Sequence, residues 1–156
     1  MNVPLYEKIW MYAAGGLIAA FLGTVLVGVA GSALQPPSHV ETIDPTKVFT
    51  DPRFTNRGVT ETESGATVVA VSMMFAFNPG EIRVPAGKPV TFRLTSSDVT
   101  HGFQIVGTNA NTMVVPGYVS QFTTTFQPGT YLIVCNEYCG LNHHGMFATL
   151  IAEERP

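Results

Sequence analysis

A cluster of soft metal-ligand residue types lies near the end of the chain, in the stretch CNEYCGLNHHGM from Cys135 to Met146. It contains both cysteines of the 156-residue sequence, two adjacent histidines and a methionine. The spacing is Cys135-x-Glu137-x-Cys139-x3-His143-x2-Met146. Because thiolate, imidazole and thioether groups bind soft and borderline metals, the stretch predicts either a disulfide or a metal site.

A structural disulfide is the first alternative for the two cysteines. An even cysteine count in an oxidising compartment would be compatible with it. A Cys-x3-Cys bridge, however, closes a very short loop, so its entropic stabilisation is at the low end of the usual range. It also leaves His143 and Met146 without a role. The pattern therefore favours a metal site.

Zinc and copper are the two metals that this set of residues could hold. His101, in DVTHGF, could complete a Cys2His2 zinc site, but zinc seldom takes a thioether ligand. A mononuclear blue-copper site uses one Cys, two His and a weak Met ligand, whereas this chain offers a second cysteine. Two thiolates four residues apart can bridge two metals, with His101 and His143 as terminal ligands. Met146 sulfur and one backbone carbonyl would then supply weak contacts, so the spacing suits a binuclear copper centre.

The elements that must position these ligands are short strands. After Gly65 the sequence consists of β-type runs separated by the turn motifs NPGE, PAGK, VPGY and QPGT, without helical periodicity. Val90, Phe92 and Leu94 alternate with polar residues, as in a strand with one buried face. About eight strands at this spacing predict a mainly β fold, a sandwich or barrel. The predicted strands are Ala66–Phe77, Glu81–Val84, Pro89–Thr95, Gly102–Val106, Thr112–Val115, Val119–Phe126, Thr130–Cys135 and Met146–Ala152.

One transmembrane helix is predicted near the N-terminus, at about residues 10–34. No charged residue occurs from Ile9 to Val40, and the run at 12–34 contains only Thr24 and Ser32 as polar residues. A helix needs roughly 20 apolar residues to cross the hydrocarbon core. The predicted organisation is therefore a membrane segment at 1–38, a polar, turn-rich connector at 39–65 and the β domain at 66–156.

A cleaved secretory signal is the alternative interpretation of this apolar run. The run is longer than the roughly 7–15 residues of a signal's apolar region, which favours a retained anchor. Both interpretations place the β domain across the membrane, and Lys8 before the run favours a cytoplasmic N-terminus. The small residues Gly15, Ala19 and Gly23 recur four apart and would let another helix approach closely, as expected of a subunit.

Composition excludes several other function classes. The formal net charge is -3 and the pI is near 5.7, which argues against a nucleic-acid partner. The sequence contains no glycine-rich phosphate loop and no G-x-S-x-G motif. The chemistry of the chain is therefore expected at the cysteines.

The combination HGF…CNEYCGLNHHGM resembles the CuA site of subunit II of haem–copper oxidases, whose pattern is His…Cys-x-Glu-x-Cys-x3-His-x2-Met. The resemblance covers essentially the whole chain, including VPAGKPVTFRLTSSDVTHGF. Most members of that family have two membrane helices, so the single predicted helix resembles the B-type branch. All six family positions match, the third through its carbonyl oxygen: His101, Cys135, Glu137, Cys139, His143 and Met146.

This resemblance implies a cupredoxin-like Greek-key sandwich with a binuclear copper centre. One copper would be bound by His101 and Met146, and the other by His143 and the Glu137 carbonyl, with both cysteines bridging. In many relatives the carboxylate of this glutamate also helps to bind magnesium at the boundary with subunit I. His144 does not fit the family spacing and is interpreted as a surface neighbour.

The resemblance also implies the role of the chain and its partners. The chain would accept electrons from cytochrome c or a small copper protein and pass them to haem in subunit I, where oxygen is reduced. It would be a single-pass protein of a prokaryotic plasma membrane, with the copper domain on the outer, periplasmic side. Relatives dock their donor near tryptophans that correspond to MMFAFNPG here, so Phe75 and Phe77 are the predicted docking residues, together with Met73 or Met74. For these residues the alternative is that the four side chains belong to the core of a strand. The alternative is a free-standing anchored cupredoxin that carries electrons or delivers copper.

Overall fold

A computed structural model describes residues 4–32 and 41–154 of the chain. Its regular elements form two units, one at Met1–His39 and one at Val40–Pro156. The first contains helix α1 (Leu5–Ser32) and the second contains ten strands and the short helix α2 (Pro52–Thr55). The strands are β1 (Gly58–Thr62), β2 (Gly65–Met73), β3 (Ala76–Asn78), β4 (Glu81–Pro85), β5 (Pro89–Ser96), β6 (His101–Ile105), β7 (Asn111–Val114), β8 (Ser120–Thr125), β9 (Gly129–Val134) and β10 (Phe147–Glu153).

Helix α1 has the length and composition of a membrane span. The candidate span is Leu5–Gly28, with a mean hydropathy of 1.8. None of the residues in its most apolar 18-residue stretch is buried within the chain. The helix begins a turn earlier than the predicted start near residue 10. The predicted end near residue 34 and the predicted boundary at 38/39 lie outside the described residues.

The ten strands form two five-stranded sheets that pack face to face. In the first sheet the order is β1-β2-β5-β8, with β3 paired to β2, and in the second it is β4-β10-β9-β6-β7. The pairs β2–β5 and β4–β10 are parallel, so strands distant in sequence become neighbours. The result is the predicted mainly β sandwich.

Alternating side chains from both sheets fill the space between them. Phe92 of β5 and Phe103 of β6 are fully buried, and their ring centroids are 5.7 Å apart. Phe122 stacks on Phe92 at 4.9 Å, and Phe126 meets the same ring edge-on at 6.0 Å. This aromatic core fixes the two sheets against each other below the end that carries the ligand residues.

Two local features differ from the sequence predictions. The predicted strand Ala66–Phe77 is in fact two strands, because the chain turns at Met74 and Phe75 between β2 and β3. Strand β1 lies in a stretch without a predicted strand, and it forms the sheet edge beside β2.

The segment before β1 packs on the sandwich through a second small core. Phe54 and Val48 are fully buried there against Val71 of β2. Helix α2 is capped by Asp51, whose side chain accepts a hydrogen bond from the Arg53 backbone N–H at 2.9 Å. The predicted extent of a connector at 39–65 stays a prediction, but residues 43–54 contribute buried side chains to the β unit.

Candidate metal centre

Three strands bring the ligand residues to one end of the second sheet. His101 begins β6, Cys135 follows β9, and Met146 precedes β10. Because β9 pairs with both β6 and β10, these three positions are neighbours in space. The Cys135 backbone N–H donates to the Met146 carbonyl at 3.2 Å, which closes the base of the loop. The remaining donors, on Glu137, Cys139 and His143, lie within that loop.

The six predicted donor atoms converge around the two cysteine sulfurs. Cys135 Sγ lies 3.8 Å from Cys139 Sγ, and both cysteines are free. The other distances are 3.9 Å from Cys135 Sγ to His101 Nδ1, 3.1 Å from Cys135 Sγ to the Glu137 carbonyl oxygen, 3.6 Å from Cys139 Sγ to His143 Nδ1, and 3.7 Å from Cys139 Sγ to Met146 Sδ. Each sulfur thus has one imidazole nitrogen and one weaker donor beside it.

Burial gives this cluster a low-dielectric environment. His101 is fully buried and the two cysteines and Met146 are nearly so. Burial, together with the hydrogen bond and charge of Cys135, raises the pKa of the Cys139 thiol to about 11. At neutral pH the metal-free Cys139 is therefore protonated, and a bound metal would have to displace that proton.

The donor set fits copper better than zinc. Ligand atoms of His101, Cys135 and Cys139 all lie within 4.8 Å of one another. Thiolates, imidazoles and a thioether together are typical of copper, whereas zinc would leave the buried thioether of Met146 unused beside Cys139. The residues present thus match the chemistry of a copper site.

Close contacts at two glycines, Gly102 and Gly140, hold the loop in place. A Cβ atom on Gly102 of β6 would overlap Asn136 Oδ1 and would lie 2.8 Å from the Asn136 backbone nitrogen. A Cβ atom on Gly140 would lie 3.0 Å from Cε1 of the Phe75 ring. Both glycines let a neighbouring segment touch the loop directly, and Asn136 is also tied to Asn111 by a side-chain hydrogen bond of 3.1 Å.

The remaining predicted residues occupy different positions. Phe75 is half-buried against the loop, but Phe77 is only 4% exposed and packs edge-on against Phe103 at 5.4 Å, so its side chain belongs to the core. His144 is exposed. An open cleft of about 330 Å³ lies beside the cluster, lined by Leu132, Val134, Cys135, His143, His144, Met146 and Phe147.

One residue at the site is absent from the set predicted by sequence. Asp98 accepts a hydrogen bond of 2.8 Å at Oδ1 from Nε2 of His101, the ring nitrogen that faces away from the cysteines. Its signal in the sequence is a carboxylate three residues before a predicted ligand in DVTHGF. That signal is weak by itself, because aspartate is common in turns.

Known proteins resemble this chain in both sequence and structure. The sequence model of the family described as "Cytochrome C oxidase subunit II, periplasmic domain" matches residues 66–153. The chain is similar to cytochrome c oxidase subunit 2 of Thermus thermophilus, with 36% identity over 155 residues that cover 96% of this chain and 92% of the relative.

Two solved structures are similar to the described fold. One is a chain in a cryo-EM structure of a haem–copper terminal oxidase dimer, with 30% identity and a TM-score of 0.64, covering 95% of this chain and 99% of that one. The other is the crystal structure of the periplasmic domain of subunit II of cytochrome oxidase of Bradyrhizobium japonicum, with 19% identity and a TM-score of 0.53, covering 62% and 88%. The second is a likeness of fold alone, and it confirms the predicted cupredoxin-like sandwich.

Proposed function

Because this chain belongs to the cytochrome c oxidase subunit II family, we propose that it is the subunit through which electrons enter a haem–copper oxidase. Copper is the metal expected for this family. The observation that carries the proposal is the convergence of two thiols, two imidazole Nδ1 atoms, a thioether and a carbonyl oxygen at one end of the sandwich. Oxygen reduction itself would take place on another subunit.

The proposed centre holds two copper ions. Cys135 and Cys139 would bridge them, with His101 and Met146 completing one site and His143 and the Glu137 carbonyl the other. When bound, such a pair supplies a one-electron redox couple. The protein contributes a fixed geometry, because the ligands lie on strand ends and on a loop closed by the Cys135–Met146 backbone hydrogen bond. Burial of the sulfurs excludes water and reduces the reorganisation that accompanies each electron transfer.

Electrons are proposed to arrive from cytochrome c or a small copper protein at the turn that carries Phe75. Its ring packs against Gly140, the residue after Cys139, and Met74 beside it is 51% exposed. Tyr138 and Leu141, which flank Cys139 and Gly140 in the loop, are also exposed and add apolar surface to the same loop. Phe77 is left out of the proposed docking surface because its side chain is buried.

Electrons are proposed to leave towards haem in subunit I. The cleft beside His143 is lined largely by apolar side chains and reaches three of the donor residues. The Glu137 carboxylate is exposed and could bind magnesium together with ligands from that subunit. The proposed orientation is an N-terminus in the cytoplasm and the copper domain outside the plasma membrane, in agreement with Lys8 preceding the uncharged part of helix α1.

Electron paramagnetic resonance of the copper-loaded, detergent-solubilised chain tests the centre. We expect the hyperfine pattern of one electron shared over two equivalent copper nuclei. His143→Ala should abolish that pattern, and His144→Ala is the matched control that should leave it unchanged. A mononuclear pattern in the wild-type chain would refute the binuclear centre.

Docking and assembly require separate measurements. Phe75→Ala should slow bimolecular reduction by the donor without changing the copper spectrum, and an unchanged rate would remove Phe75 from the proposal. The alternative, a free-standing anchored cupredoxin, predicts that the chain is isolated alone. Co-purification with a large haem-bearing membrane subunit would exclude that alternative.

A further inference from the structure

The side chain of Asp98 connects two parts of the molecule that the proposed function treats separately. Oδ1 accepts from His101 Nε2 at 2.8 Å and from the Val99 backbone N–H at 2.7 Å. Oδ2 accepts from the Met74 backbone N–H at 2.6 Å. Asp98 therefore contacts a copper-ligand residue with one oxygen and the Met74–Phe75 turn, 24 residues away in sequence, with the other.

Both oxygens of Asp98 accept from backbone N–H groups, which can only donate: Val99 at Oδ1 and Met74 at Oδ2. An ionised carboxylate accepts hydrogen bonds and donates none, so His101 must donate from Nε2. The neutral imidazole then has its lone pair on Nδ1, the nitrogen that faces Cys135 Sγ at 3.9 Å.

We propose that Asp98 is a positioning residue that holds His101 in its metal-binding tautomer and, through the Met74 amide, fixes the proposed docking turn to the same ligand. The inference rests on the proposed copper site and adds a residue outside the predicted ligand set. His101 is fully buried, so water cannot readily replace Asp98 as the acceptor for Nε2–H. Carboxylate partners of metal-bound histidines commonly change metal affinity by about 10- to 100-fold when removed.

The turn is held from a second side by packing on the loop. A Cβ at Gly140 would lie 3.0 Å from Phe75 Cε1 and 3.9 Å from Met74 Sδ, so both side chains cover the segment after Cys139. The backbone of the same turn reaches His101 through Asp98. The two contacts together place the proposed docking turn in a fixed position relative to the segment after Cys139 and to the His101 imidazole.

Two substitutions separate the two roles of Asp98. An asparagine at this position has an oxygen on one side and an NH2 group on the other, so it can accept hydrogen bonds on one side only. His101 and Val99 both donate at Oδ1, so Asp98→Asn should keep its oxygen on that side and lose the Met74 contact. Asp98→Ala should lose both. Glu63→Gln, in the turn at the opposite end of β2, is the matched control that removes a carboxylate away from the site.

The first measurement uses the copper-free, full-length chain in detergent and nitrogen-15 NMR. In the wild type we expect His101 in the Nε2–H tautomer with a slowly exchanging ring proton. Exchange of the Met74 amide should become roughly 10- to 100-fold faster in Asp98→Asn, the factor that a hydrogen bond to a charged acceptor contributes. An Nδ1–H tautomer in the wild-type chain would overturn the inference, even if neither variant folds.

The second measurement is copper affinity by competition with a chelator. We expect Asp98→Ala to bind copper about 10- to 100-fold more weakly, Asp98→Asn to lie closer to the wild type, and Glu63→Gln to be unchanged. An Asp98→Ala affinity within about twofold of the wild type would overturn the positioning role. The tautomer experiment needs no copper, so failure of the binuclear centre in the wild type is distinguishable from failure of this inference.

Discussion

A methyl group added at Gly102 should disturb the cysteine loop, residues 135–146, through the backbone of the loop itself. The Cβ of alanine at this position would overlap Asn136 Oδ1 and would lie 2.9 Å from Asn136 Cγ and 2.8 Å from the Asn136 backbone nitrogen. The side-chain atoms can rotate away, but the nitrogen is bonded to Cys135. Gly102→Ala must therefore shift either β6 or the chain at Cys135.

Two contributions make up the cost of this shift. Overpacking of a well-packed site costs about 1–3 kcal/mol. Rotating the Asn136 side chain away would also break its hydrogen bond to Asn111, a loss of about 0.5–1 kcal/mol. We expect a total loss of about 1.5–4 kcal/mol in the free energy of unfolding. At about 5 °C per kcal/mol for a domain of this size, the melting temperature should fall by roughly 8–20 °C.

The assay is thermal and urea unfolding of the copper-free chain in detergent, followed by near-ultraviolet circular dichroism. Gly80→Ala is the matched control, because the nearest atom to a Cβ there is 3.7 Å away, an ordinary contact. Asn136→Ala, alone and combined with Gly102→Ala, separates the two clashes. Because the backbone clash remains when the Asn136 side chain is removed, the double variant should still be less stable than Asn136→Ala.

Copper loading provides the second readout for the same variant. Displacement at Cys135 should also reach Met146, since the two are joined by a backbone hydrogen bond. We therefore expect an altered electron paramagnetic resonance spectrum in Gly102→Ala. An unfolding free energy within about 0.5 kcal/mol of the wild type, together with an unchanged spectrum, would show that the loop does not depend on this close approach.

Three further substitutions test the fold and the site. Glu41 lies between Arg93 and Arg53. Burial alone would raise the pKa of Glu41, but the hydrogen bonds and charges of the two arginines lower it below 4.5. The stability that Glu41 contributes is therefore present above pH 4.5 and is lost as the pH falls through the lowered pKa. Urea midpoints from pH 7 to 3 should therefore show Glu41→Gln less stable than the wild type at neutral pH and the difference shrinking in acid; a constant difference would contradict this. Phe92→Ala, in the aromatic core, should lower the unfolding free energy by about 3–5 kcal/mol in the same urea assay. Met146→Leu conserves apolar volume and should cost less than about 1.5 kcal/mol, yet change the copper spectrum; an unchanged spectrum would argue against a thioether ligand.

Much of the fold was predictable because its signals are local. Val90, Phe92 and Leu94 alternate along β5 and are all buried, as the period-two pattern requires. The turn motifs marked most strand ends. The spacing of the cysteine loop likewise suggested which donors lie together, because five of them come from one short segment and only His101 is distant.

Elements stabilised by distant contacts could not be predicted in the same way. Strand β1 has the sequence GVTET, largely exposed, and its position depends on pairing with β2 rather than on a buried face. Phe54 is fully buried although helix α2 has only four residues, too few to show periodicity. The turn at Met74 separates β2 from β3 within a continuous apolar run, and its backbone is held by Asp98.

Local sequence signals likewise indicate which residues are the proposed ligands, whereas contacts between distant residues hold those ligands in place. Twelve residues could supply five donors in many loop conformations. Backbone hydrogen bonds within the segment, such as the one from Cys135 N–H to the Met146 carbonyl, close the loop but do not by themselves fix its position on the sandwich. Contacts from outside the segment add this constraint: Gly102 of β6 lies against Asn136, Phe75 packs on Gly140, and Asp98 is hydrogen-bonded to His101. Fast electron transfer requires ligands that move little between oxidation states. Substitutions at these neighbouring positions should therefore affect electron transfer even though every ligand is retained.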